Sequence, residues 1–329
     1  MTDTALTGEQ PRLVEPAVLD DVPGWFWDHD RHLFEWFLGR QEKAGVTGDL
    51  LEMGAYLGRS AIVIGEHLQD GETFTVCDLF DSDAPDDENA AEMDMSYRKT
   101  LTRSAFESNY LSFHERLPEI IQAPTSTLAG GRVPAGSFRF IHIDASHLYE
   151  HVVGDLQVAR VALEPHGVVV LDDYRSAHTP GVAAATWEAV FNHGLKPIVL
   201  TECKFYGTWG DPDQAQLDLL HGVDLAEGCQ LSVETVNERR VLRITGSSEG
   251  IEPFRVSRHH DRLTAEAARR EAVEARREAE RAQEQAAADL AGRRARAAER
   301  RRPTNVAKRV AGDLLPPVVT SAIRRARRG

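Results

Sequence analysis

The chain has 329 residues and lacks the features that mark secreted and membrane proteins. Its three cysteines, Cys77, Cys203 and Cys229, are too few and too scattered for a disulfide framework or a zinc site. No apolar run approaches the ~18 residues that a membrane-spanning helix needs. The N-terminus lacks the basic and apolar regions of a secretory signal. These absences predict a protein of the reducing cytoplasm.

Basic residues are scarce in most of the chain. The net charge is -14 at pH 7, yet residues 255–329 hold twice as many basic as acidic residues, so residues 1–254 are strongly acidic. Nucleic-acid binding needs a basic face for phosphate contacts. We therefore expect no nucleic-acid partner for the acidic part, and the basic tail needs a separate explanation.

Short β-rich runs alternate with amphipathic stretches from residue 29 to about residue 210. The predicted strands are 49–53, 73–77, 118–122, 138–143, 167–171 and 196–201, with a further one at 204–208 and a hairpin over 229–246. The predicted helices lie near 58–69, 98–110, 150–163 and 180–193. This alternation predicts an α/β fold with a doubly wound, mostly parallel, Rossmann-like sheet and a C-terminal long-helix extension.

Composition divides the chain into four segments. Residues 1–28 are polar, 29–254 carry the α/β pattern, 255–302 are rich in Ala, Arg and Glu, and 303–329 form a basic amphipathic tail. The third segment predicts either a single exposed helix or a coiled coil, because its larger apolar residues are few. Acidic residues crowd the stretch 81–97, which is either a lid over a site or a disordered surface loop.

A glycine-containing turn follows the first predicted strand and opens a helix. It reads Glu52-Met53-Gly54-Ala55-Tyr56-Leu57-Gly58-Arg59-Ser60. Glycines let the backbone approach a ligand, and the helix N-terminus offers N–H groups to an anion. The acid before the turn favours an ammonium group over a pyrophosphate. The alternative is a strand–helix turn without a ligand.

Acidic residues end three further strands. Asp78, after the second strand, can accept the ribose hydroxyls of a nucleoside, or it is simply the start of an acidic loop. Asp144 and the pair Asp172-Asp173 end two strands separated by one helix, so the three carboxylates are expected to converge at one sheet edge. Such a cluster favours a divalent cation such as Mg²⁺, unless the pair only caps the following turn.

His147 follows Asp144 in a turn on the expected ligand side. Imidazole titrates near neutral pH, so His147 is a candidate general base, with Asp144 as the other candidate. A histidine that merely bridges Tyr149 and the next helix is the alternative.

Three motifs in order resemble class I S-adenosylmethionine-dependent methyltransferases, and in particular the bacterial metal-dependent macrocin and sugar O-methyltransferases. They are the segments 51–60, 143–150 and 170–174. The resemblance spans about residues 45–210. It implies a seven-stranded sheet, methyl transfer to a sugar or natural-product hydroxyl, and a divalent metal. The resemblance implies a role for each of these residues: Glu52, Gly54 and Gly58 surround the methionine part, Asp78 holds the ribose, and Ser126 lies near adenine. Tyr56 and Ser60 are also expected to bind the cofactor, and Asp144, Asp172 and Asp173 to bind the metal.

Two other classes are weighed against this one. A NAD-dependent oxidoreductase is disfavoured because the chain has no G-x-G-x-x-G in its glycine turn. A non-catalytic scaffold acting through the helical tail is disfavoured by the intact Glu52, Gly54 and Asp144. The tail itself is expected either to contact an anionic membrane surface peripherally, at the inner face of the membrane, or to support assembly into a homo-oligomer, or to be disordered.

Overall fold

The structure is a computed structural model that describes residues 15–96, 100–223, 225–302, 306–307 and 309–310. The chain forms two units, residues 1–261 and residues 262–329. Most of the predicted basic tail, 303–329, lies outside the described residues. No helix among the described residues is both long enough and apolar enough to cross a membrane.

The first unit alternates strands and helices over most of its length. Its strands are β1 Asp49–Met53, β2 Phe74–Asp78, β3 Glu119–Gln122, β4 Phe138–Ile143, β5 Leu163–Leu171, β6 Lys196–Leu200, β7 Phe205–Thr208, β8 Cys229–Val236 and β9 Arg239–Gly246. Its helices are α1 Asp28–Lys43, α2 Arg59–Gly65, α3 Asp87–Ser96, α4 Arg103–Phe113, α5 Tyr149–Ala162, α6 Pro180–Asn192 and α7 Asp213–Gly222. A last helix, α8 Arg258–Arg300, begins here and continues into the second unit.

The described strands form one nine-stranded sheet in the order β3-β2-β1-β4-β5-β7-β6-β9-β8. Strands β1 to β5 pair in parallel, and β7 runs antiparallel to both β5 and β6. The predicted hairpin over 229–246 adds β9 and β8 beyond β6. The expected α/β fold is therefore confirmed, and its sheet is two strands wider than the seven that the family resemblance implies.

Helices cover both faces of the sheet, so the central strands are buried on both sides. On one face pack α1, α2 and α4, through residues such as Phe34, Phe37 and Phe106. On the other face pack α5 and α6, through residues such as Val152 and Val182. The carboxyl ends of β1, β2, β4 and β5 consequently meet along one edge of the sheet, where ligands bind in such folds.

Helices α1, α3 and α7 were not predicted from the sequence. In α1 the buried residues Leu33, Phe34, Phe37 and Leu38 follow a helical period, but charged residues between them obscure the pattern. Helix α3 lies within the acidic stretch 81–97, whose described part is therefore helical at 87–96 rather than an irregular loop.

The polar N-terminal segment contributes to the core in its described part. Val22 and Phe26 are buried, and the Ser257 N–H donates to the Ala17 carbonyl at 2.9 Å. The segment is therefore attached to the rest of the first unit by a hydrogen bond at Ala17 and by apolar packing at Val22 and Phe26.

Helix α8 has no buried residue in its whole length. Its larger apolar side chains, Leu263, Val273 and Leu290, are each about half exposed. Charged pairs one turn apart support the helix, as in Arg276 and Glu280 at 3.0 Å. The predicted long helix is confirmed, and the coiled coil stays a prediction.

Candidate active site

A cavity of about 700 Å³ opens at the carboxyl ends of β1, β2, β4 and β5. This volume is typical of sites that hold small ligands. Most of the predicted site residues line its wall. They are Gly54, Tyr56, Ser60, Asp78, Ser126, Asp144, His147, Asp172 and Asp173. The structure thus brings together residues from the whole span 54–173.

The glycine turn after β1 passes close to the turn after β4. Gly54 has φ +81°, and a Cβ on it would lie 2.0 Å from the Asp144 carbonyl oxygen. Only glycine permits this approach. Tyr56, two residues on, also has a positive φ of 47°. The turn is therefore held in a conformation that leaves its backbone along the cavity wall.

Gly58 lies behind the cavity wall. It precedes α2 with φ +94°, and a Cβ on it would meet the Phe106 ring at 3.0 Å. Its glycine is needed for the left-handed conformation and for packing against α4. Gly58 is not among the residues that line the cavity, whereas Gly54 is, and the role of Gly58 in cofactor binding stays a prediction.

Asp78 braces the glycine turn from the end of β2. Its Oδ2 accepts the N–H groups of Ala55 at 2.7 Å and Tyr56 at 3.1 Å, and its Oδ1 accepts the Phe80 N–H at 2.6 Å. Burial raises the pKa of Asp78, and these three N–H groups oppose the rise. A carboxylate has about four acceptor sites, so capacity remains for a hydroxyl in the cavity.

Glu52 also lies behind the wall, fully buried beneath the turn. Its Oε1 lies 2.8 Å from Nδ1 of His142, while its Oε2 has no hydrogen-bond partner. Burial raises the pKa of Glu52 to about 8, and the Ser60 hydroxyl opposes part of that rise. Glu52 does not line the cavity, so a ligand could contact its unpaired Oε2 only if the glycine turn moved aside.

The three predicted carboxylates converge as expected. Asp144 follows β4 and Asp172 follows β5, and the Asp172 N–H donates to the Ile143 carbonyl beside Asp144. The pKa of Asp144 is well above its usual value, because burial and the carboxylates of Asp172 and Asp173 disfavour its charge. An arrangement of this kind favours binding of a cation or a proton.

A buried lysine, Lys204, reaches this cluster from the turn before β7. Its ammonium forms an ion pair with Oδ2 of Asp172 and lies 3.1 Å from Nε2 of His142. Burial alone would lower the pKa of Lys204, but Asp172, Asp144 and Asp30 raise it above its usual value. Lys204 was not predicted as part of the site, since nothing in the sequence around it marks it.

His142 links Lys204 to Glu52. Burial, with help from the Lys204 charge, holds the pKa of His142 well below its usual range, so the ring is neutral. The ammonium donates to Nε2, which leaves Nδ1 as the N–H that donates to Glu52. A continuous hydrogen-bonded chain therefore runs from beneath the glycine turn to the acidic cluster.

His147 lies beside Asp173 at the cavity wall. Its Nε2 is 3.3 Å from Oδ2 of Asp173, and Ser176 donates to the other oxygen. Burial tends to raise the pKa of Asp173, but these two partners lower it to about 2. Asp173 is thus ionised, has φ +55°, and orients the imidazole of His147.

Asp155 lines the cavity wall and was not predicted from the sequence. It lies on α5 among apolar positions, is 2% exposed, and has an Oδ2 with no hydrogen-bond partner. Burial raises its pKa to about 7, against a hydrogen bond with Thr125 that lowers it. An acid in the buried stripe of an amphipathic helix is the sequence signal that could have found it.

The rim of the cavity carries two exposed indoles and one helix of the acidic stretch. Trp25 and Trp27 line the cavity with 64% and 59% of their surface exposed. Helix α3 contributes the buried Asn89 and Met93, and Asp86 just before it pairs with His151 of α5 at 3.1 Å. The acidic stretch therefore packs over the site.

The donor atoms fit a hard divalent cation. One ligand atom each of His142, Asp144 and Asp172 lies within 4.8 Å of the others. His142 is engaged by Lys204, so the oxygens of Asp144 and Asp172 are the donors that suit Mg²⁺. Asp173 stands outside this group, because its oxygens bind Ser176 and His147.

Several solved structures are similar to this chain. The O-methyltransferase NovP is 19% identical, and the match covers 55% of this chain and 79% of that one with a TM-score of 0.44. The calicheamicin methyltransferase CalS11 is 16% identical, covering 56% and 80% with a TM-score of 0.40. The O-methyltransferase from Bacillus cereus in complex with SAH is 15% identical, covering 57% and 85% with a TM-score of 0.39.

Among proteins of curated function, none matches the chain. A family model described as a methyltransferase domain matches residues 51–174. This segment begins in β1, ends just after Asp173, and includes the strand ends that form the cavity. The predicted resemblance is confirmed for residues 51–174, which are similar to a methyltransferase domain.

Proposed function

We propose that the protein is an S-adenosylmethionine-dependent O-methyltransferase that methylates a hydroxyl of a sugar, a glycan or a glycosylated natural product with a divalent cation such as Mg²⁺. One observation carries the proposal. A single cavity of the methyltransferase domain is lined by the glycine turn on one side and by the acidic cluster on the other. A methyl donor and a hydroxyl acceptor need such adjoining places.

The donor side is formed by the glycine turn, the end of β2 and the turn after β3. The backbone around Gly54 would bind the methionine part, and Asp78 would accept one ribose hydroxyl with its remaining lone pair. Ser126 and the buried Asp155 would lie near the adenine. S-adenosylmethionine supplies the electrophilic methyl group of the reaction.

The acceptor side is formed by Asp144 and Asp172, which would hold the cation, and by Asp173 beside them, which orients His147. A divalent cation in this place supplies a Lewis acid that lowers the pKa of the acceptor hydroxyl. Asp144 and His147 both line the cavity and are the residues that would take the acceptor proton. His147 is oriented by Asp173, and Asp144 belongs to the acidic cluster itself.

Holding the methyl donor and the acceptor hydroxyl together in one cavity would increase the rate of methyl transfer. Positioning two reactants in this way can contribute ~7–11 kcal/mol to lowering a barrier. Asn89 and Met93 of α3 cover the cavity, and the pair Asp86–His151 ties that helix to α5. We propose that α3 excludes water from the reaction.

The exposed indoles favour an acceptor that contains a ring. Trp25 and Trp27 are large apolar surfaces at the entrance of a cavity whose far wall is charged. Indole faces stack on flat or C–H-rich ring faces, and burying them is favourable. A glycoside with its hydroxyl at the acidic cluster would place a ring against them.

Calorimetric titration with S-adenosylmethionine and with NAD tests the proposal. We expect S-adenosylmethionine to bind and NAD not to bind. Radiolabelled methyl donor, offered together with Mg²⁺ and cell-extract glycans or glycosylated metabolites, then identifies the acceptor. The proposal would be contradicted if the protein bound NAD but not S-adenosylmethionine. It would also be contradicted if no hydroxyl acceptor received the labelled methyl group.

The basic tail supports a second proposal, about location. We propose that the protein is cytoplasmic and that residues 303–329 contact an anionic membrane surface, which would bring the enzyme to lipid-linked glycans. Each basic residue near such a surface contributes about 1 kcal/mol. Assembly into a homo-oligomer through residues 255–302 is the alternative use of this region.

A further inference from the structure

Lys204 is a cation inside the acidic cluster. Its side chain is 1% exposed, and its ammonium contacts Oδ2 of Asp172 and lies 3.1 Å from Nε2 of His142. A buried ammonium without partners would be strongly unfavourable, so its place between these groups is specific. The cluster therefore contains one fixed positive charge of its own.

The surroundings of Lys204 hold it in this place. The Phe26 and Phe34 rings lie 5.5 and 5.9 Å from the ammonium, at distances where ring faces attract a cation. Asp30 of α1 adds a third carboxylate to the field around the ammonium. The Asp30 carboxylate is fixed by the hydroxyls of Tyr206 and Thr201, at 2.8 and 2.9 Å.

Both oxygens of Asp172 are used by protein donors. Oδ1 accepts the Asp173 N–H at 2.8 Å, and Oδ2 is paired with Lys204. A cation that binds Asp172 through Oδ2 must share that oxygen with the ammonium. Two positive charges next to one another repel, and this repulsion weakens the binding of the second.

We propose that Lys204 is the resident cation of the acidic cluster and that a divalent cation bound there competes with it for Asp172. The inference rests on the metal site of the proposed function. Lys204 keeps the carboxylates of Asp172 and Asp144 close together before any metal binds. It also sets the affinity for the metal, which is lower than the carboxylates of Asp144 and Asp172 alone would give.

The affinity for Mn²⁺, followed by electron paramagnetic resonance, tests the competition. We expect Lys204→Met to bind Mn²⁺ at least about tenfold more tightly than the wild type, because it removes one positive charge from the site. Lys204→Arg retains the charge and should bind Mn²⁺ about as weakly as the wild type. Equal or weaker binding by Lys204→Met would overturn the proposal.

Thermal unfolding provides a second readout. Lys204→Met leaves Asp172, Asp144 and Asp30 without their buried cation, so its melting temperature should fall, and Mn²⁺ should raise it by more than it raises that of the wild type. Arg139→Met is the matched control, since Arg139 is fully buried and paired with Glu72 at the amino end of β4. It should lose stability without recovery by Mn²⁺.

Each remaining outcome is decisive. If Lys204→Met folds only in the presence of Mn²⁺, the proposal is supported. If Lys204→Met does not fold even with Mn²⁺, the proposal is overturned. The proposal is also overturned if Mn²⁺ restores the stability of Arg139→Met to the same extent. Titration of wild-type protein with S-adenosylhomocysteine is a separate measurement. Its failure would count against the methyltransferase proposal and leave the Mn²⁺ comparison unaffected.

Discussion

The indole of Trp25 stacks on the phenol ring of Tyr56, with 5.7 Å between the ring centroids and 28° between the planes. The entrance of the cavity is therefore joined to the glycine turn by two aromatic rings. Because Tyr56 lies in that turn, a ring-bearing acceptor packed on Trp25 would lie next to the donor side. The rim and the reaction site form one continuous surface.

Removal of a rim indole should weaken acceptor binding. We expect Trp25→Ala and Trp27→Ala each to reduce the affinity for 4-nitrophenyl glycosides about 2- to 10-fold, the equivalent of ~0.5–1.5 kcal/mol of ring stacking. Equilibrium dialysis measures the affinity. Phe191→Ala is the control, since Phe191 is half exposed on α6 and is not part of the cavity wall. An equal loss in all three variants would argue against a ring subsite.

Three glycines should respond differently to alanine. Gly54→Ala should be the most destabilising, because its Cβ would overlap the Asp144 carbonyl, and Gly58→Ala should cost about 1–2 kcal/mol for its left-handed conformation. Gly39→Ala in α1 meets nothing within 4 Å and should stabilise by about 0.5–1 kcal/mol. Urea unfolding gives the three free energies. A different rank order would show that these turns rearrange.

Glu52 should make stability depend on pH near neutrality. Its folded pKa is about 8 against an ordinary value of 4.5, so its favourable contribution is complete below about 4.5 and is lost as the pH rises through 8. Glu52→Gln should therefore become steadily more stable than the wild type between pH 5 and 8, by up to about 1.4 kcal/mol per pH unit. Urea unfolding at several pH values measures this difference.

Glu72 supplies a control of opposite sign. Although burial tends to raise its pKa, hydrogen bonds from Arg139 and two backbone N–H groups lower it overall. Its contribution is present above its ordinary pKa and is lost as the pH falls through the lowered value. Glu72→Gln should thus be less stable than the wild type at pH 7, without a trend between pH 6 and 8. A flat difference for Glu52→Gln as well would contradict the burial of a neutral Glu52.

Asp144→Asn should separate the metal from the methyl donor. We expect loss of Mg²⁺-stimulated turnover, of at least about a hundredfold, while S-adenosylmethionine still binds in calorimetry. Asp172→Asn should show the same loss of turnover together with lower stability, because Lys204 loses its partner. Asp70→Asn, an exposed acid outside the cavity wall, should change neither. Undiminished turnover after exhaustive chelation would exclude the metal from the reaction.

The closing arginines of the chain should decide membrane contact. Replacing Arg324, Arg325, Arg327 and Arg328 with alanine in the full-length protein should reduce co-sedimentation with anionic vesicles at low salt. Neutral vesicles provide the control, and raised salt should release the wild type, since screening weakens surface charge. If the two proteins sediment alike, the tail has another use.

The fold was largely predictable because the sheet is made of short apolar runs with turn residues between them. Strand β4 matches its prediction over 138–143, and the hairpin turns at Asn237-Glu238 as expected. Helix α1 was missed because charged residues lie among its four buried leucine and phenylalanine residues. Its absence from the prediction also concealed Asp30, which faces the site.

The predictable residues of the candidate site are those that directly follow a predicted strand. Asp144 and Asp172 come after strands, so their meeting follows from the parallel order of the sheet. Lys204 joins them through the antiparallel strand β7, and no spacing rule connects it with them. Gly58 and Glu52 lie at the glycine turn as the sequence indicates. Their position behind the cavity wall could not be predicted, because it depends on contacts with Phe106 and His142.

The hydrogen bond between Ala17 and Ser257 joins two residues at opposite ends of the first unit. The segment that carries Trp25 and Trp27 is therefore held in part by a residue that is synthesised much later than the segment itself. Contacts between such distant positions close the largest loops of a chain and form late in folding. A nascent chain can build the sheet and the acidic cluster first, and this attachment of the N-terminal segment can form only after residue 257 has been synthesised.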